Sequence, residues 1–362
     1  MSRDMQENHA LELHRQAIVI DGHSDILSAL ADNRMRLRDR VVVEPPVTWQ
    51  GAEFVRMPPN TTPYEPSPYS FWYECMGQYD IPRFREGGIT AEAMAIYISQ
   101  DHLHRPLERA LDMVAAFHRE IEDNHATLRF ATTAADIRRA KAQDKTALLL
   151  SLEGAEPLGQ NLNLLDVFYR LGLRMMSLTH SRRNAWADGT QFNVRTGGLT
   201  TLGRELIQRM NELGIVIDLA HLGDAGVWEV LELSRGPMIY SHTTVAAMPG
   251  YKTGLVDFDP PHETTKLRAL AAKGGVACAI FVAQPDVTAI VGDIETMIQH
   301  VGDDHVGLGS DFVSLAHAPA GLEDISKMRS LTEEMVRRGF SDETIRKVLG
   351  ANLLRVFEQV WG

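Results

Sequence analysis

The stretch "VIDGHSDIL", residues 19–27, passes from apolar residues typical of a buried strand into a polar cluster that contains His23 and Asp25. In an extended chain, residues i and i+2 point to the same face, so these two side chains are predicted to converge on one point. That point could be a metal ion or a proton in transfer, and two ordinary polar residues at a strand end would give the same pattern. The rest of the chain has to discriminate between these interpretations.

Short apolar runs like this one recur along the chain, mostly separated by segments of helical length. The eight runs are residues 17–21, 93–99, 147–153, 175–180, 215–221, 238–242, 275–281 and 306–311. Amphipathic helical patterns lie between them, for example at 106–124 and 201–214. Strands that alternate with helices predict an α/β protein with a parallel sheet. Eight units favour a (β/α)8 TIM-like barrel over a doubly wound open sheet, for which a glycine-rich phosphate loop is missing.

One long stretch interrupts the alternation of strands and helices. Residues 38–85 are rich in proline and aromatic side chains and are too long for a plain barrel connection. We therefore expect a single barrel domain over residues 1–362, with 38–85 as a long loop inserted after the first strand. This insertion could form a lid over a site, pack on its own barrel, or form an interface with a second copy.

Composition and charge argue against several classes of partner. The chain has 362 residues, of which 44% are hydrophobic and 23% charged, and its formal net charge is −12. This negative charge argues against nucleic acid and anionic membranes as partners.

Cys75 and Cys278, the two cysteines, give neither a disulfide framework nor a cysteine-type zinc site. No run reaches about 18 apolar residues, so we expect a cytoplasmic protein without a membrane partner.

Residues that can bind a metal or move a proton stand at the ends of six of the eight predicted strands. They are His23, Asp25, Glu153, His180, His221, His242 and Asp311. Because active sites of such barrels lie at the C-terminal ends of the strands, we expect these side chains to meet. Four imidazoles and three carboxylates exceed what one catalytic zinc needs, since such an ion takes about three protein ligands. Two ions that share a bridging carboxylate would use more of them.

We predict which side chains bind each of the two ions. The partition that we predict places His23, Asp25 and Glu153 on one ion, and Glu153, His221 and His242 on the other. In this partition Glu153 is the shared carboxylate. This partition is an inference, because spacing in the sequence alone does not assign ligands to ions.

His180 and Asp311 remain for contacts with the substrate and for proton transfer. Each candidate also has a structural interpretation. Glu153 and Asp311 could stabilise the N-terminus of a following helix, and "THSRRN" around His180 is a good turn sequence. The combination of all seven at strand ends favours a functional centre over seven separate structural roles.

Segments spread over nearly the whole chain resemble the membrane dipeptidase (renal dipeptidase) family of binuclear zinc peptidases. They are "VIDGHSD" (19–25), "YDIPRFREGGITAEAMAIYI" (79–98), "LSLEGAE" (150–156), "LTHSRRNAWADG" (178–189), "IDLAH" (217–221), "YSH" (240–242), "VGLGSDF" (306–312), "GLEDISKM" (321–328) and "NLLRVFEQV" (352–360). The resemblance implies a (β/α)8-type barrel, two Zn²⁺ per chain and a homodimer. It also implies hydrolysis of dipeptides, including those with a C-terminal D-residue, by a hydroxide held between the metals.

The resemblance assigns roles to the metal-binding candidates motif by motif. It implies that His23 and Asp25 bind one zinc, that Glu153 bridges, and that His221 and His242 bind the other. This agrees with the partition that the strand ends suggest.

The resemblance also implies roles for the two remaining candidates. His180 is expected to contact the substrate or the tetrahedral intermediate. Asp311 is expected to relay a proton from the bridging water to the leaving amine.

The chain departs from the family where the substrate carboxylate is held. Family members usually carry an arginine about eleven residues after the histidine of the "SH" pair, but the same offset from His242 falls on Thr253. Lys252 is the only cation in that loop and is the expected partner of the carboxylate, although as a point charge rather than a bidentate fork.

This departure leaves the substrate open. A dipeptidase is the first hypothesis, and a related amide hydrolase acting on an N-acyl amino acid or a modified peptide is the second. A catalytically silent binding protein is the third, and the presence of all five metal-binding candidates together with Asp311 argues against it.

Overall fold

The computed structural model describes the chain in six segments. These segments are residues 3–42, 77–190, 197–245, 260–282, 284–312 and 318–361. Within these segments the strands are β1 (Ile20–Ser24), β2 (Ala91–Tyr97), β3 (Leu128–Phe130), β4 (Thr146–Glu153), β5 (Leu173–Ser177), β6 (Val216–Asp218), β7 (Ile239–Thr243), β8 (Val276–Ala279) and β9 (Val306–Leu308).

Thirteen helices accompany the strands in the described part of the chain. They are α1 (Arg3–Gln16), α2 (Leu27–Ala31), α3 (Ile81–Glu86), α4 (Pro106–Asp123), α5 (Ala134–Ala142), α6 (Asn163–Leu171), α7 (Thr201–Leu213), α8 (Asp224–Leu233), α9 (Pro260–Ala272), α10 (Val287–Val301), α11 (Arg329–Arg337), α12 (Asp342–Arg346) and α13 (Asn352–Trp361). None of the helices seen in these segments combines the length and the apolar character needed to cross a membrane.

Eight strands form a nearly closed parallel barrel with helices around it. Their order is β1-β2-β4-β5-β6-β7-β8-β9, with every pair parallel. The two end strands approach each other at the C-terminal rim, where the Asp311 amide donates to the His23 carbonyl at 3.3 Å. The predicted (β/α)8 TIM-like fold is confirmed. The short β3, which pairs with β4 outside this order, was not predicted, because three residues carry no periodicity.

Two apolar clusters form the core, and the smaller one joins strand residues to residues of α5 and α13. Along β4, Ala147 and Leu149 belong to one cluster, while Leu148 and Leu150 belong to the other. This alternation is the two-residue period of a strand with both faces buried. The cluster with Ala147 and Leu149 also contains Cys278, which is buried; Cys75 lies outside the described residues.

The ends of the long stretch at 38–85 meet at the barrel. The Ile81 amide donates to the Leu37 carbonyl at 2.7 Å, so the chain leaves and returns at one place. Residues 43–76, which carry most of the proposed insertion, lie outside the described residues. The insertion and the single-domain assignment therefore stay predictions.

A buried carboxylic acid, Glu92, lies in β2 opposite Asp21 of β1. Both of its carboxyl oxygens lack a hydrogen-bond partner in the part of the chain that the structure describes. Burial raises the pKa of Glu92 well above its ordinary value, and the nearby Asp21 carboxylate raises it further. Glu92 is therefore protonated in the native state at pH values where the unfolded chain has lost that proton.

We expect Glu92→Gln to remove part of the pH dependence of stability. Because the native pKa is raised, the contribution of Glu92 is fully present below its unfolded pKa of about 4.3 and is lost as the pH rises. Between the unfolded and the native pKa of Glu92, the free energy of unfolding of Glu92→Gln should rise relative to that of the wild type by up to about 1.4 kcal/mol per pH unit. Urea unfolding of both proteins at pH 5, 6.5 and 8 measures their free energies of unfolding. The same pH dependence in both proteins would show that Glu92 is ionised in the native state.

Candidate metal centre

The carboxylate of Glu153 lies at the C-terminal rim on the inner face of β4. Ala147 and Leu149 of this strand point into the barrel, and the two-residue period carries Ser151 and Glu153 to the same side. The strand ends at Glu153, and its side chain is buried. The sequence thus places this carboxylate above the apolar filling of the barrel.

Three imidazoles converge on one oxygen of this carboxylate. The Nε2 atoms of His221, His23 and His242 lie 3.1, 3.7 and 3.8 Å from Oε1 of Glu153. The Nε2 atoms of His221 and His242 are 2.8 Å apart. Four strand ends, those of β1, β4, β6 and β7, therefore direct ligand-type atoms at a single point.

The two remaining carboxylates lie on the side of His23. Its Nε2 atom is 3.8 Å from Oδ1 of Asp25 and 3.8 Å from Oδ1 of Asp311. His23 and Asp25 therefore converge at the point where β1 ends. β1 ends at Ser24, its register shifts beforehand, and the Asp25 carbonyl already accepts the Ser28 amide of the next turn.

His180 completes the group of candidates brought together here. Its ring centroid is 4.2 Å from that of His221 and 4.7 Å from that of Tyr97, and its Nδ1 atom is 3.0 Å from the Ser181 hydroxyl. All seven strand-end candidates therefore surround one centre. Lys252 lies outside the described residues, and its predicted role is untested.

Several overlapping groups of three ligand atoms occur at this centre. Among the described residues, the side-chain sets that offer ligand atoms within 4.8 Å of one another include His23–Glu153–His242, Glu153–His180–His221 and His23–Asp25–Asp311. Glu153 and His23 each belong to two of these sets, and of the two only Glu153 has a pair of carboxylate oxygens with which to bridge two ions. The predicted trio Glu153–His221–His242 is equally compact, since the two Nε2 atoms lie 2.8 Å apart and 3.1 and 3.8 Å from Oε1 of Glu153.

Two of these residues hold a strained backbone. His221 and Asp311 have φ angles of +60° and +49°, in the left-handed region that non-glycine residues rarely adopt. Such strain persists only where the surroundings impose it, and it is concentrated at functional sites. The chain beside Asp311 is also tightly packed, because a Cβ at Gly309 would lie 1.7 Å from the Ser241 carbonyl oxygen.

Burial and mutual repulsion set the protonation of the centre. Burial raises the pKa of Asp311 to about 8, and the neighbouring Asp25 and Glu153 carboxylates raise it as well. Burial also lowers the pKa of His180 to about 3, helped by His221. Burial alone would raise the pKa of Glu153, but the imidazoles around it hold that pKa well below its ordinary value.

The donor set fits divalent metal ions. Nε2 of His23, Oδ1 of Asp25 and Oε2 of Glu153 are buried and have no hydrogen-bond partner among the described residues. Buried charged and polar atoms are costly unless they are paired or bind a cation. Imidazole nitrogens and carboxylate oxygens are the ligands of zinc and similar ions.

A supporting set of polar residues was missed at the sequence level. The Ser241 hydroxyl lies 2.9 Å from Nδ1 of His242, and the Ser241 amide donates to Oδ1 of Asp218 at 2.9 Å. Asp21 accepts from the Ser310 amide at 2.7 Å, next to Asp311. Outer partners of this kind fix the orientation of metal ligands. The sequence contains a signal for these supporting residues. Asp21 and Asp218 each follow a Val-Ile pair and come shortly before His23 and His221.

Among the residues that the structure describes, Arg182 is a positively charged side chain close to the metal centre. Its guanidinium lies 5.8 Å from the ring centroid of Tyr97, which contacts His180. Its Nε atom donates to Glu156 at 3.3 Å, and its Nη2 atom donates to the Ile98 carbonyl. The charge of Arg182 is therefore already paired within the protein.

Sequence comparison identifies relatives over most of the chain. The family model described as "Membrane dipeptidase (Peptidase family M19)" matches residues 7–361. Dipeptidase aclJ of Aspergillus oryzae is 31% identical over 311 residues, which are 79% of this chain and 71% of that protein. Dipeptidase verJ of Clonostachys rogersoniana is 31% identical over 267 residues, which are 72% of this chain and 67% of that protein.

Structural comparison gives a similar fold in a protein with a ligand. A metallopeptidase from Rhodobacter sphaeroides, solved with a phosphinate mimic of the dipeptide L-Ala-D-Ala, superposes with a TM-score of 0.76. The two chains are 23% identical, and the match covers 96% of this chain and 100% of the other. At this identity the similarity is evidence for the fold.

Proposed function

This chain belongs to the membrane dipeptidase family, peptidase family M19, and from that membership we propose that it is a two-zinc dipeptidase that cleaves the amide bond of free dipeptides. The family makes it a metal-dependent hydrolase that acts on small peptides. The convergence of three imidazoles on the Glu153 carboxylate is the observation that carries the two-metal proposal. The relative solved with a mimic of L-Ala-D-Ala supports acceptance of a C-terminal D-residue.

We assign the ligands as the strand ends and the resemblance suggest. His23 and Asp25 would hold one ion, His221 and His242 the other, and Glu153 would bridge them. Two zinc ions would supply Lewis-acid polarisation of the peptide carbonyl and an activated water at neutral pH.

The protein's own residues would carry the proton and orient the substrate. Asp311 lies at the edge of the centre on the side of His23 and would accept the proton of the attacking water and pass it to the leaving amine. Bound cations would lower the pKa of Asp311 from about 8 and so keep its carboxylate ionised and able to accept a proton. His180, kept neutral by its lowered pKa, would hydrogen-bond to the substrate oxygen on which charge develops.

The group that holds the carboxylate of the substrate is the part of the proposal that separates two functions. We retain Lys252 for this role, since the nearby Arg182 is already paired with Glu156. If no residue holds the carboxylate, the related amide hydrolase acting on N-acyl amino acids or modified peptides becomes the better description. Homodimer formation, a cytoplasmic location and the lack of nucleic-acid and membrane partners stay predictions.

A paired substrate panel tests this proposal. Zinc-loaded protein would be assayed on free L,L and L,D dipeptides and on the same compounds with an amidated C-terminus, together with N-acyl amino acids. We expect the free dipeptides to be turned over about 10-fold or more faster than the amidated and acylated compounds. This ratio corresponds to the free energy of roughly one hydrogen bond to a charged group. We expect Lys252→Ala to abolish this preference, and Lys273→Ala, at an exposed position, to leave it intact.

Either of two results would contradict the proposal. Equal or better turnover of the amidated and acylated compounds would point to the alternative hydrolase. Unchanged cleavage of free dipeptides by Lys252→Ala would show that Lys252 does not hold the carboxylate.

A further inference from the structure

Behind the metal centre, the hydroxyl of Tyr79 joins both sides of the turn that carries Asp311. We propose that Tyr79 is a positioning residue that holds the Asp311 carboxylate in its working place through Ser310 and Phe312. The proposal rests on the role of Asp311 in the proposed function. It would extend the catalytic apparatus to a residue that lies just after the stretch 43–76.

A directed chain of hydrogen bonds supports the proposal. The Phe312 amide donates to the Tyr79 hydroxyl oxygen at 3.2 Å, and that oxygen lies 2.6 Å from Oγ of Ser310. The Ser310 hydroxyl donates to the Asp21 carboxylate, which also accepts the Ser310 amide at 2.7 Å. Because a serine hydroxyl has one hydrogen and Asp21 takes it, the Tyr79 hydroxyl is the donor toward Ser310.

The ring of Tyr79 is held independently of its hydroxyl. The residue is fully buried, and its ring packs edge-on against Phe312 with centroids 5.7 Å apart. The ring centroid of Phe84, in α3, lies 6.5 Å from that of Tyr79. Removing the hydroxyl oxygen alone should therefore leave the packing in place, so that the hydrogen bonds can be tested separately.

The turn needs such support because Asp311 is strained. Its φ of +49° is unfavourable for a residue with a side chain, and the Tyr79 hydroxyl contacts the residues directly before and after it. The Asp311 amide also bonds to the His23 carbonyl at 3.3 Å, which ties the turn to a proposed ligand. Loss of the Tyr79 hydroxyl would let the turn relax and the carboxylate move.

The test compares Tyr79→Phe with Tyr240→Phe in the zinc-loaded protein. Tyr240 is also buried, but its hydroxyl has no hydrogen-bond partner in the described segments, which makes it a matched control. We expect Tyr79→Phe to lower kcat by about 10- to 100-fold, the usual effect of losing an outer-shell partner, with KM and metal content unchanged. Tyr240→Phe should keep wild-type kcat.

Two further readouts separate positioning from a general structural role. In an Asp311→Asn background, Tyr79→Phe should cause no additional loss of the residual rate, because residues that act through one another are not additive. Amide hydrogen exchange at Phe312 should be faster in Tyr79→Phe and unchanged in Tyr240→Phe.

Each outcome decides the proposal. Wild-type kcat in Tyr79→Phe, or an additive loss in the double variant, would overturn it. If the wild-type protein cleaves no compound of the panel, the proposed function has failed, and the exchange rate alone decides: unchanged exchange at Phe312 overturns the positioning role, and faster exchange upholds it.

Discussion

Glu153→Gln should abolish turnover and remove metal from the protein. Glu153 is the carboxylate on which the Nε2 atoms of His23, His221 and His242 converge, within 3.1 to 3.8 Å of Oε1. Glutamine keeps the size of the side chain but removes the negative charge between two proposed dications and directs an NH2 donor at groups that should bind metal. Metal-ion catalysis supplies several kcal/mol, so we expect kcat to fall by about 10³-fold or more.

Metal analysis of the same variant should show one ion or fewer per chain. Glu92→Gln is the matched control, since it makes the same change at another buried carboxyl group, in the neighbouring barrel strand β2. We expect the control to retain both ions and its activity. Two ions per chain and near wild-type kcat in Glu153→Gln would show that Glu153 does not bridge the metals.

Asp311→Asn should reduce kcat by about 10²- to 10⁴-fold, the contribution of a general acid or base, and leave the metal content unchanged. Asparagine tolerates the left-handed φ of +49° and has nearly the size of aspartate, so the backbone should be preserved. It has no carboxylate to accept a proton from water. Steady-state kinetics and metal analysis on one sample measure both effects.

Asp144→Asn is the control for the backbone of this substitution. Asp144 has a similar φ of +52° but lies in an exposed turn after α5. It should therefore behave as wild type. A proportional loss of metal and kcat in Asp311→Asn would instead make Asp311 a metal ligand, as its grouping with His23 and Asp25 allows.

The sequence was enough to predict the barrel and the meeting of the seven strand-end side chains. Both follow from local signals, since apolar runs alternate with helices and the C-terminal ends of parallel strands share one rim. Glu153 illustrates this, because a two-residue period along β4 is sufficient to direct its side chain inward.

The detailed arrangement of the side chains at the metal centre could not be predicted from the sequence, because it depends on irregular backbone conformations. The register shift in β1, the left-handed His221 and the left-handed Asp311 decide which side chains become neighbours. These features are imposed by long-range contacts, such as the bond from Asp311 to His23, and no local pattern encodes them. The supporting role of Asp218 likewise depends on its contact with Ser241 in the next strand.

The most direct test of the central claim is an anomalous difference map, recorded at the zinc edge from crystals of the zinc-loaded protein. The account predicts two peaks about 3.5–4 Å apart, each about 2.0–2.2 Å from an oxygen of Glu153, with His23 and Asp25 on one peak and His221 and His242 on the other. A single peak, or two peaks of which only one contacts Glu153, would contradict it.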